Sequence, residues 1–100
     1  MKIEVIREDN KRTFLLDGRL DTVAAPQLSA ALEEELTGDV KEVIMDMEHC
    51  AYVASSGLRV ILQAQKSMNR VQGTMVVKNV SEMVMEVFEM TGFSDILTIE

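Results

Sequence analysis

The pattern of apolar and polar residues at the start of the chain predicts a β-hairpin. Residues 3–7 alternate between two sides, and residues 13–16 form a second run that is apolar and β-branched. The polar segment 8–12 between these runs is typical of a turn that reverses the chain. We expect the second strand to end at Asp17 and Gly18, because this residue pair is common in turns.

A first helix is predicted after the hairpin. Thr22 is expected to cap its N-terminus, and Pro26 lies in or near the first turn, where a missing N–H costs little. Gly38 is expected to end the helix. The stripe that follows the helical period and faces the core is expected to contain Leu28, Ala31, Leu32, Glu35 and Leu36.

The middle of the chain predicts a buried strand, a loop and a second helix. Residues 43–45 form a short continuous apolar run, which is typical of a central strand. Residues 49–54 are expected to form a loop, and the helix is expected to begin at Ser55. Gly73 marks the turn after this helix. The buried face of the second helix is expected to carry Leu58, Ile61, Leu62 and Gln65.

The last third of the chain continues this alternation. Residues 74–77 predict a strand, Ser81 is expected to cap a third helix, and Gly92 is expected to end that helix. Residues 96–99 predict a short last strand. Met85 lies off the helical stripe, and an exposed, adaptable contact residue is one interpretation of this position, though not the favoured one. The buried stripe of the third helix is expected to contain Val80, Met83, Val84, Val87 and Phe88.

The order of elements predicts the fold class. After two strands, helices and strands alternate, and this order requires crossovers and a mostly parallel sheet with an antiparallel edge. We therefore predict an α/β fold, with a mixed sheet of four or five strands packed with α-helices and residues 43–46 at its centre. No linker or repeat divides the chain, so residues 1–100 are expected to form one domain.

Composition and charge narrow the class of protein. Apolar residues make up 47% of the 100 residues and charged residues 27%, which indicates a globular chain rather than a disordered one. The formal net charge is -7, which disfavours nucleic acid as a partner. The N-terminus lacks a signal-peptide pattern, and no apolar run is long enough for a membrane span. We therefore expect a soluble cytoplasmic protein that does not bind membranes.

Candidate catalytic chemistry is sparse. The chain has one His and one Cys, the neighbours His49 and Cys50, and two adjacent ligands do not complete a tetrahedral metal site. Cys50 is interpreted as a small buried hydrophobic residue. Neither a Gly-rich phosphate loop nor a nucleophile motif is present. We therefore expect a protein that is not an enzyme and that has no catalytic residues, no metal and no cofactor.

The segment AYVASSGLRVILQ, residues 51–63, carries the strongest functional signal. Ser55 or Ser56 at the start of a helix is a good N-cap, which is a purely structural role. A hydroxyl at a helix N-terminus is also a favourable position for a phosphate, because free N–H groups and the helix dipole stabilise negative charge. Gly57 has no side chain and would let a kinase approach closely. On this pattern alone, both interpretations remain open.

Three segments together resemble the STAS domain, and in particular the short anti-sigma factor antagonists of bacteria. DMEHCAYVASSGLRVIL, residues 46–62, is similar to the family's strand, its loop with an aromatic residue and the serine motif that opens a helix. GRLDTVAAPQL, residues 18–28, is similar to the family's first strand-to-helix turn. FEMTGFSDILTI, residues 88–99, resembles its C-terminal helix, Thr-Gly-aromatic turn and last strand. The resemblance covers the full chain in the right order and implies a STAS domain.

The resemblance implies a regulatory switch. An unphosphorylated antagonist of this family binds an anti-sigma factor and thereby frees a sigma factor. The anti-sigma factor is a serine kinase with a histidine-kinase-like ATPase fold; it phosphorylates the antagonist, which then dissociates, and a metal-dependent serine phosphatase resets it. The alternative is a STAS scaffold or transport-accessory subunit that is never phosphorylated. A monomer or weak dimer is expected.

The family motif also implies roles for individual residues. Ser55 matches the phosphorylated serine, with Ser56 as the second choice. The family usually has Asp immediately before that serine, whereas this chain has Ala54, which removes a charge from the contact surface. We expect Asp21 and Ser55 to lie close together, because both follow strand ends. The implied partner-binding residues are Asp21, Ser55, Ser56, Gly57 and Arg59.

Overall fold

The computed structural model describes residues 1–100 and begins with the predicted hairpin. The first strand, β1 (Lys2–Glu8), pairs antiparallel with β2 (Lys11–Leu20). A two-residue turn connects the strands, and its Asp9 adopts a positive φ of 51°. Asp tolerates this left-handed conformation better than most residues, which fits the polar turn that the sequence predicts.

The second strand continues beyond Asp17 and Gly18, so the predicted end of this strand is wrong. Its pairing with β1 stops at Asp17, but its other edge pairs with the third strand as far as Leu20. The register is irregular there, and Gly18 takes a φ of 124°, a conformation that favours glycine. The Asp-Gly pair therefore marks a bulge within the strand rather than its end.

Strands and helices then alternate in the predicted order. The remaining elements are α1 (Ala24–Glu35), β3 (Glu42–Val53), α2 (Ser55–Arg70), β4 (Thr74–Lys78), α3 (Glu82–Met90), the 3₁₀ helix Phe93–Asp95 and β5 (Thr98–Ile99). The five strands form one sheet in chain order, and β2 to β5 are parallel to one another. The predicted α/β fold, with β3 at the centre of a mixed sheet, is confirmed.

The central strand is longer than the sequence predicts. Residues 49–53, expected in a loop, belong to β3 because the extended end of β2 supplies them with pairing partners. Arg19 of β2, for example, pairs with Tyr52 of β3. The connection between β3 and α2 is therefore reduced to Ala54.

The three helices cover one face of the sheet. Because the strands follow chain order, right-handed crossovers place α1, α2 and α3 on the same side. Burial agrees with two layers: Val43, Met45 and Met47 of β3 are buried, whereas Ile44 and Asp46 between them are partly accessible. A hydrophobic core of 23 buried residues fills the space between the layers. None of the helices has both the length and the apolar character required to cross a membrane.

The third helix turns different methionines outward from those predicted. Val84 and Phe88 are buried as predicted, and Met85 is half-buried against the core beside them. Met83, expected in the buried stripe, is 63% exposed. Met85 lies three residues before Phe88, and Val84 lies four before it, and these spacings share a helix face. The predicted burial of Met83 is therefore wrong, and the less favoured interpretation of Met85 as an exposed contact residue is wrong as well.

An ion-pair cluster explains the acidic residue in the predicted stripe of α1. Glu35 is buried, with 8% of its surface exposed. Nε of Arg7 and Nε of Arg12 both donate to Oε1 of Glu35, at 2.9 Å and 3.2 Å, and Arg7 also donates to Oε2. The hydrogen bond from Arg7 is the main reason why the pKa of Glu35 is lowered. This cluster holds the hairpin against the end of α1.

Candidate functional site

The candidate site lies where β2 and β3 end side by side. Leu20 and Val53 are register partners, and the backbone N–H of Ala54 donates to the carbonyl oxygen of Leu20 at 2.9 Å. Asp21 and Ser55 are the next residues of the two segments. The structure therefore brings Asp21 and Ser55 to the same edge of the sheet, where parallel α/β folds usually bind their ligands.

Asp21 holds the start of α1. Its Oδ1 accepts hydrogen bonds from the N–H groups of Val23, at 3.1 Å, and Ala24, at 2.9 Å. The bond from Ala24 is the main cause of the lowered pKa of Asp21, so the carboxylate is charged at neutral pH. The prediction that Thr22 caps this helix is wrong, because the Asp21 carboxylate already receives the two N–H groups that a cap would satisfy.

The start of α2 has no side-chain cap. Ala54 occupies the N-cap position in an extended conformation, with φ −83° and ψ 168°, and its methyl group accepts no hydrogen bond. Ser55 is the first helical residue, and its exposed hydroxyl forms no hydrogen bond within the protein. The expectation that Ser55 or Ser56 caps the helix is therefore wrong. The first helical hydrogen bond runs from the N–H of Leu58 to Ala54 at 3.0 Å, so the three preceding N–H groups lack a protein acceptor.

The next two residues of α2 are much less accessible than Ser55. Ser56 is half-buried, and its Oγ is enclosed without a hydrogen-bond partner. Gly57 is buried, and a Cβ atom at this position would lie 2.6 Å from Cγ and 2.8 Å from the carbonyl oxygen of Leu20. The glycine is thus required by the packing of α2 against β2. Packing alone therefore explains the glycine at position 57, without the expected role of allowing a kinase to approach closely.

Arg59 provides positive charge near Ser55. It lies four residues after Ser55 on α2, and side chains with this spacing are neighbours on a helix surface. Arg59 is exposed and forms no ion pair. Together with Thr22 and Ser56, it lines a shallow groove between the starts of α1 and α2. An unpaired guanidinium here favours a negatively charged group of a partner or a phosphate.

Three residues at this edge were missed by the sequence-based predictions. Val23 is 80% exposed in the first turn before α1, and Tyr52 is 38% exposed near the end of β3. The guanidinium of Arg19 lies over the Tyr52 ring, 4.0 Å from the ring centre. Val23 directly follows the polar residues Asp21 and Thr22 and lies outside the buried stripe of α1. This position is the sequence feature from which the exposure of Val23 could have been predicted. Apolar and aromatic surface beside polar groups is typical of a protein-binding surface.

His49 and Cys50 lie in different environments despite being neighbours. Cys50 is buried as predicted, and its Sγ donates to the carbonyl oxygen of Tyr52 at 3.4 Å. Burial raises the pKa of the Cys50 thiol, so the thiol is protonated and unreactive. His49 is exposed on the other side of β3. The two side chains therefore do not act as a pair.

Comparisons with known proteins agree with this architecture. The family model of the STAS domain matches residues 2–100. The anti-sigma-B factor antagonist of Listeria monocytogenes is 33% identical over 104 residues, which cover 100% of this chain and 89% of that protein.

Two solved structures share the fold. The anti-sigma factor antagonist SpoIIAA in its unphosphorylated form has a TM-score of 0.86 at 22% identity, with 99% of this chain and 88% of that chain covered. The Bacillus cell fate determinant SpoIIAA in the phosphorylated form has a TM-score of 0.78 at 22% identity, with 99% and 91% covered. With a family match along nearly its whole length, this chain belongs to the STAS domain family.

Proposed function

We propose that this protein is an anti-sigma factor antagonist, a regulatory protein without catalytic activity of its own. It binds an anti-sigma factor through the surface formed by Asp21, Val23, Tyr52, Ser55 and Arg59, and this binding frees a sigma factor. The proposal is supported by the similarity to the anti-sigma-B factor antagonist of Listeria monocytogenes, 89% of which is covered by the match. It is also supported by the exposed apolar and charged groups at this edge of the sheet.

The partner in this proposal is an anti-sigma factor serine kinase with a histidine-kinase-like ATPase fold, and it phosphorylates Ser55. The observation that carries the proposal is the spare hydroxyl of Ser55, which is exposed and unbonded at an uncapped helix N-terminus. Phosphoryl transfer to this oxygen breaks no contact of the fold. The unpaired N–H groups and the helix dipole then stabilise the added charge. A serine phosphatase returns the protein to its binding form.

Phosphorylation ends binding because of what the partner meets at this surface. A phosphoserine carries about 1.5 to 2 negative charges at neutral pH. This charge arises at the same edge of the sheet as the Asp21 carboxylate and the apolar surface of Val23 and Tyr52, which a partner must desolvate. A like charge or an unpaired charge in an interface costs several kcal/mol. A loss of even about 3 kcal/mol weakens binding roughly a hundredfold.

The test is calorimetric titration of the wild-type protein, Ser55→Ala and Ser55→Asp against the histidine-kinase-like anti-sigma factor of the source organism. We expect Ser55→Ala to bind like the wild type but to resist phosphorylation, and Ser55→Asp to bind roughly a hundredfold more weakly. Ser67→Asp is the matched control, since it adds the same charge near the other end of α2. Tight binding by Ser55→Asp contradicts the switch. A melting temperature of Ser55→Asp far below that of the wild type contradicts the surface-charge mechanism.

A second candidate function is a STAS scaffold or transport-accessory subunit that is never phosphorylated. Ala54 favours it, because the family pattern has an aspartate before the phosphorylated serine. Mass spectrometry of the protein from its own cells separates the two candidates. Phosphate on Ser55 supports the antagonist, and its absence under every growth condition supports the scaffold. Size measurement in the same preparation tests the expected monomer or weak dimer.

A further inference from the structure

One face of the sheet has no covering layer. Strands β2 to β5 are parallel, and parallel sheets usually have both faces covered by other elements. Here the three helices occupy one face, so the opposite face, which we call the open face, is bare. The side chains of the open face are those that alternate with the buried ones along each strand.

An apolar and β-branched band runs across the open face. The strand register joins its members side by side over all five strands, so that they form one continuous row. Ile6, at the β1 end of the band, is 42% exposed. The three central members, Thr13, Ile44 and Val76, are half-buried between their neighbours. The band consists of Ile6, Thr13, Ile44, Val76 and Thr98.

Charged rows flank this band, and most of their unpaired charges are negative. Lys11 forms an ion pair with Glu42 at 3.7 Å, and Lys78 forms an ion pair with Glu100 at 3.9 Å. Glu4, next to the band on β1, forms no ion pair. A depression of about 210 Å³ adjoins the band, and it is lined by four carboxylates, with Lys2 and His49 as the opposing groups. The four carboxylates are those of Glu4, Asp17, Asp46 and Glu48.

The dimensions of the band match a helix laid across the strands. Five strands spaced about 4.8 Å apart give a row about 19 Å long. An α-helix rises 1.5 Å per residue, so roughly 13 residues span this row. A helix with an apolar stripe of this length buries the band and completes the second layer that the parallel sheet lacks.

We propose that the open face docks an amphipathic helix of a partner protein, with its apolar stripe on the band and lysine or arginine side chains towards the flanking carboxylates. Charge complementarity selects this occupant. A second copy of this chain would bring two acidic faces together, and an acidic helix would meet the same repulsion. This surface lies on the sheet face away from the helices and is separate from Ser55, so the inference does not depend on the proposed function.

The test is a nuclear magnetic resonance titration of the full chain with isoleucine methyl groups labelled. The probe is an amidated peptide of about 18 leucine and lysine residues, with leucines three and four positions apart. We expect the methyl resonances of Ile6 and Ile44 to shift. Ile61, on the buried face of α2, and Ile96, which is 52% exposed outside the band, are the internal controls and should not shift. A peptide with glutamate in place of lysine should not bind.

A matched pair of charge reversals sharpens the test. Glu4→Lys, beside the band, is expected to weaken binding of the lysine peptide by about tenfold. Glu33→Lys, on α1 at the opposite side of the sheet, should leave affinity within about twofold. Four outcomes overturn the proposal: no shift at Ile6 and Ile44, an equal shift at Ile96, equal binding of the glutamate peptide, or shifts that grow with protein concentration without peptide, which indicate a second copy.

Discussion

A serine lies at the N-terminal end of two helices of this protein, and the two serines have different roles. Ser81 precedes α3 in an extended conformation, and its hydroxyl oxygen accepts a hydrogen bond from the N–H of Val84 at 3.2 Å. Ser55 is already the first residue of α2, and its hydroxyl is unbonded because Ala54 occupies the capping position. A shift of one position therefore decides whether a serine closes a helix end or remains free.

The hydroxyl of Ser81 has a structural role, whereas the hydroxyl of Ser55 is free to be modified. Modification of Ser81 would remove a contact that the fold uses, whereas modification of Ser55 removes none. The start of α2 also forgoes the stabilisation of about 1 kcal/mol that a side-chain cap provides. The N-terminus of α2 lies at the proposed binding surface. The uncapped helix end and the unbonded hydroxyl of Ser55 are therefore both part of that surface.

The third helical position of α2 is the most sensitive point of this comparison. Val84 fills it in α3, but Gly57 fills it in α2, where a Cβ would lie 2.6 Å and 2.8 Å from atoms of Leu20. We expect Gly57→Ala to destabilise the fold by about 2–3 kcal/mol, because the clash with backbone exceeds the gain in helix propensity of about 1 kcal/mol. Thermal unfolding should show Tm lowered by roughly 10–20 °C. Gly38→Ala is the control, since no atom lies within 4 Å of its Cβ position. Equal Tm values for the two variants contradict the close packing.

Removing each serine hydroxyl tests the comparison directly. Ser81→Ala is expected to cost about 1 kcal/mol, because the N–H of Val84 loses its acceptor. Ser55→Ala is expected to change the free energy of unfolding by less than about 0.5 kcal/mol, since its hydroxyl has no partner. Urea denaturation of both variants measures the difference. Similar losses for the two serines would mean that Ser55 also caps its helix.

Supplying the missing cap should stabilise α2. We expect Ala54→Asp to add about 0.5–1 kcal/mol at neutral pH, through acceptance of free N–H groups and interaction with the helix dipole. The introduced carboxylate is charged above its unfolded-state pKa of about 3.9, so the gain is present there and disappears as pH falls through the lower folded-state pKa. Ala54→Asn, which accepts a hydrogen bond without titrating, is the control. Urea denaturation at pH 7 and near pH 3 checks both statements, and a gain that persists unchanged at acid pH contradicts a charge-based cap.

At the start of α1, the Asp21 carboxylate accepts hydrogen bonds as the Ser81 hydroxyl does at α3, but the carboxylate can be titrated. The pKa of Asp21 is lowered chiefly by the N–H of Ala24, so the charged cap is complete above the ordinary carboxyl pKa of about 3.9. It is lost only as pH falls through the lower pKa of the folded protein. We expect the amide resonance of Ala24 to titrate with a midpoint below 3.9, whereas the amide of Val84 does not respond. A midpoint of Ala24 at or above the ordinary value would exclude the hydrogen bond as the cause.

The elements of this fold follow from local patterns, and their exact ends do not. The alternation around β1 and the helical spacing in α3 depend on neighbouring residues, so the order of elements and the cap at Ser81 were predictable. The end of β2 depends on pairing with β3, which lies more than twenty residues later in the chain. This long-range pairing also extends β3 to Val53 and leaves Ala54, instead of a serine, as the capping residue of α2.

The candidate site was predictable to the same degree. Asp21 and Ser55 were expected together because both follow strands of one parallel sheet, and the structure brings them to one edge. The contact between Arg19 and Tyr52 arises only when the extended ends of β2 and β3 lie side by side. Local sequence contains no information about that contact.

The smallest expected effect concerns the neighbour of the spare serine. Ser56 Oγ is enclosed without a partner, so its removal breaks no hydrogen bond and relieves a buried unpaired oxygen. Alanine also has the higher helix propensity. We therefore expect Ser56→Ala to stabilise the fold by a few tenths of a kcal/mol and to leave the proposed phosphorylation of Ser55 unchanged. Urea denaturation and phosphorylation by the proposed anti-sigma factor kinase measure the two effects. Ser56→Thr, which adds a methyl group in the same enclosed position, should instead destabilise. A loss of about 1 kcal/mol in Ser56→Ala would show that this hydroxyl caps α2, and the contrast between Ser55 and Ser81 would then fail.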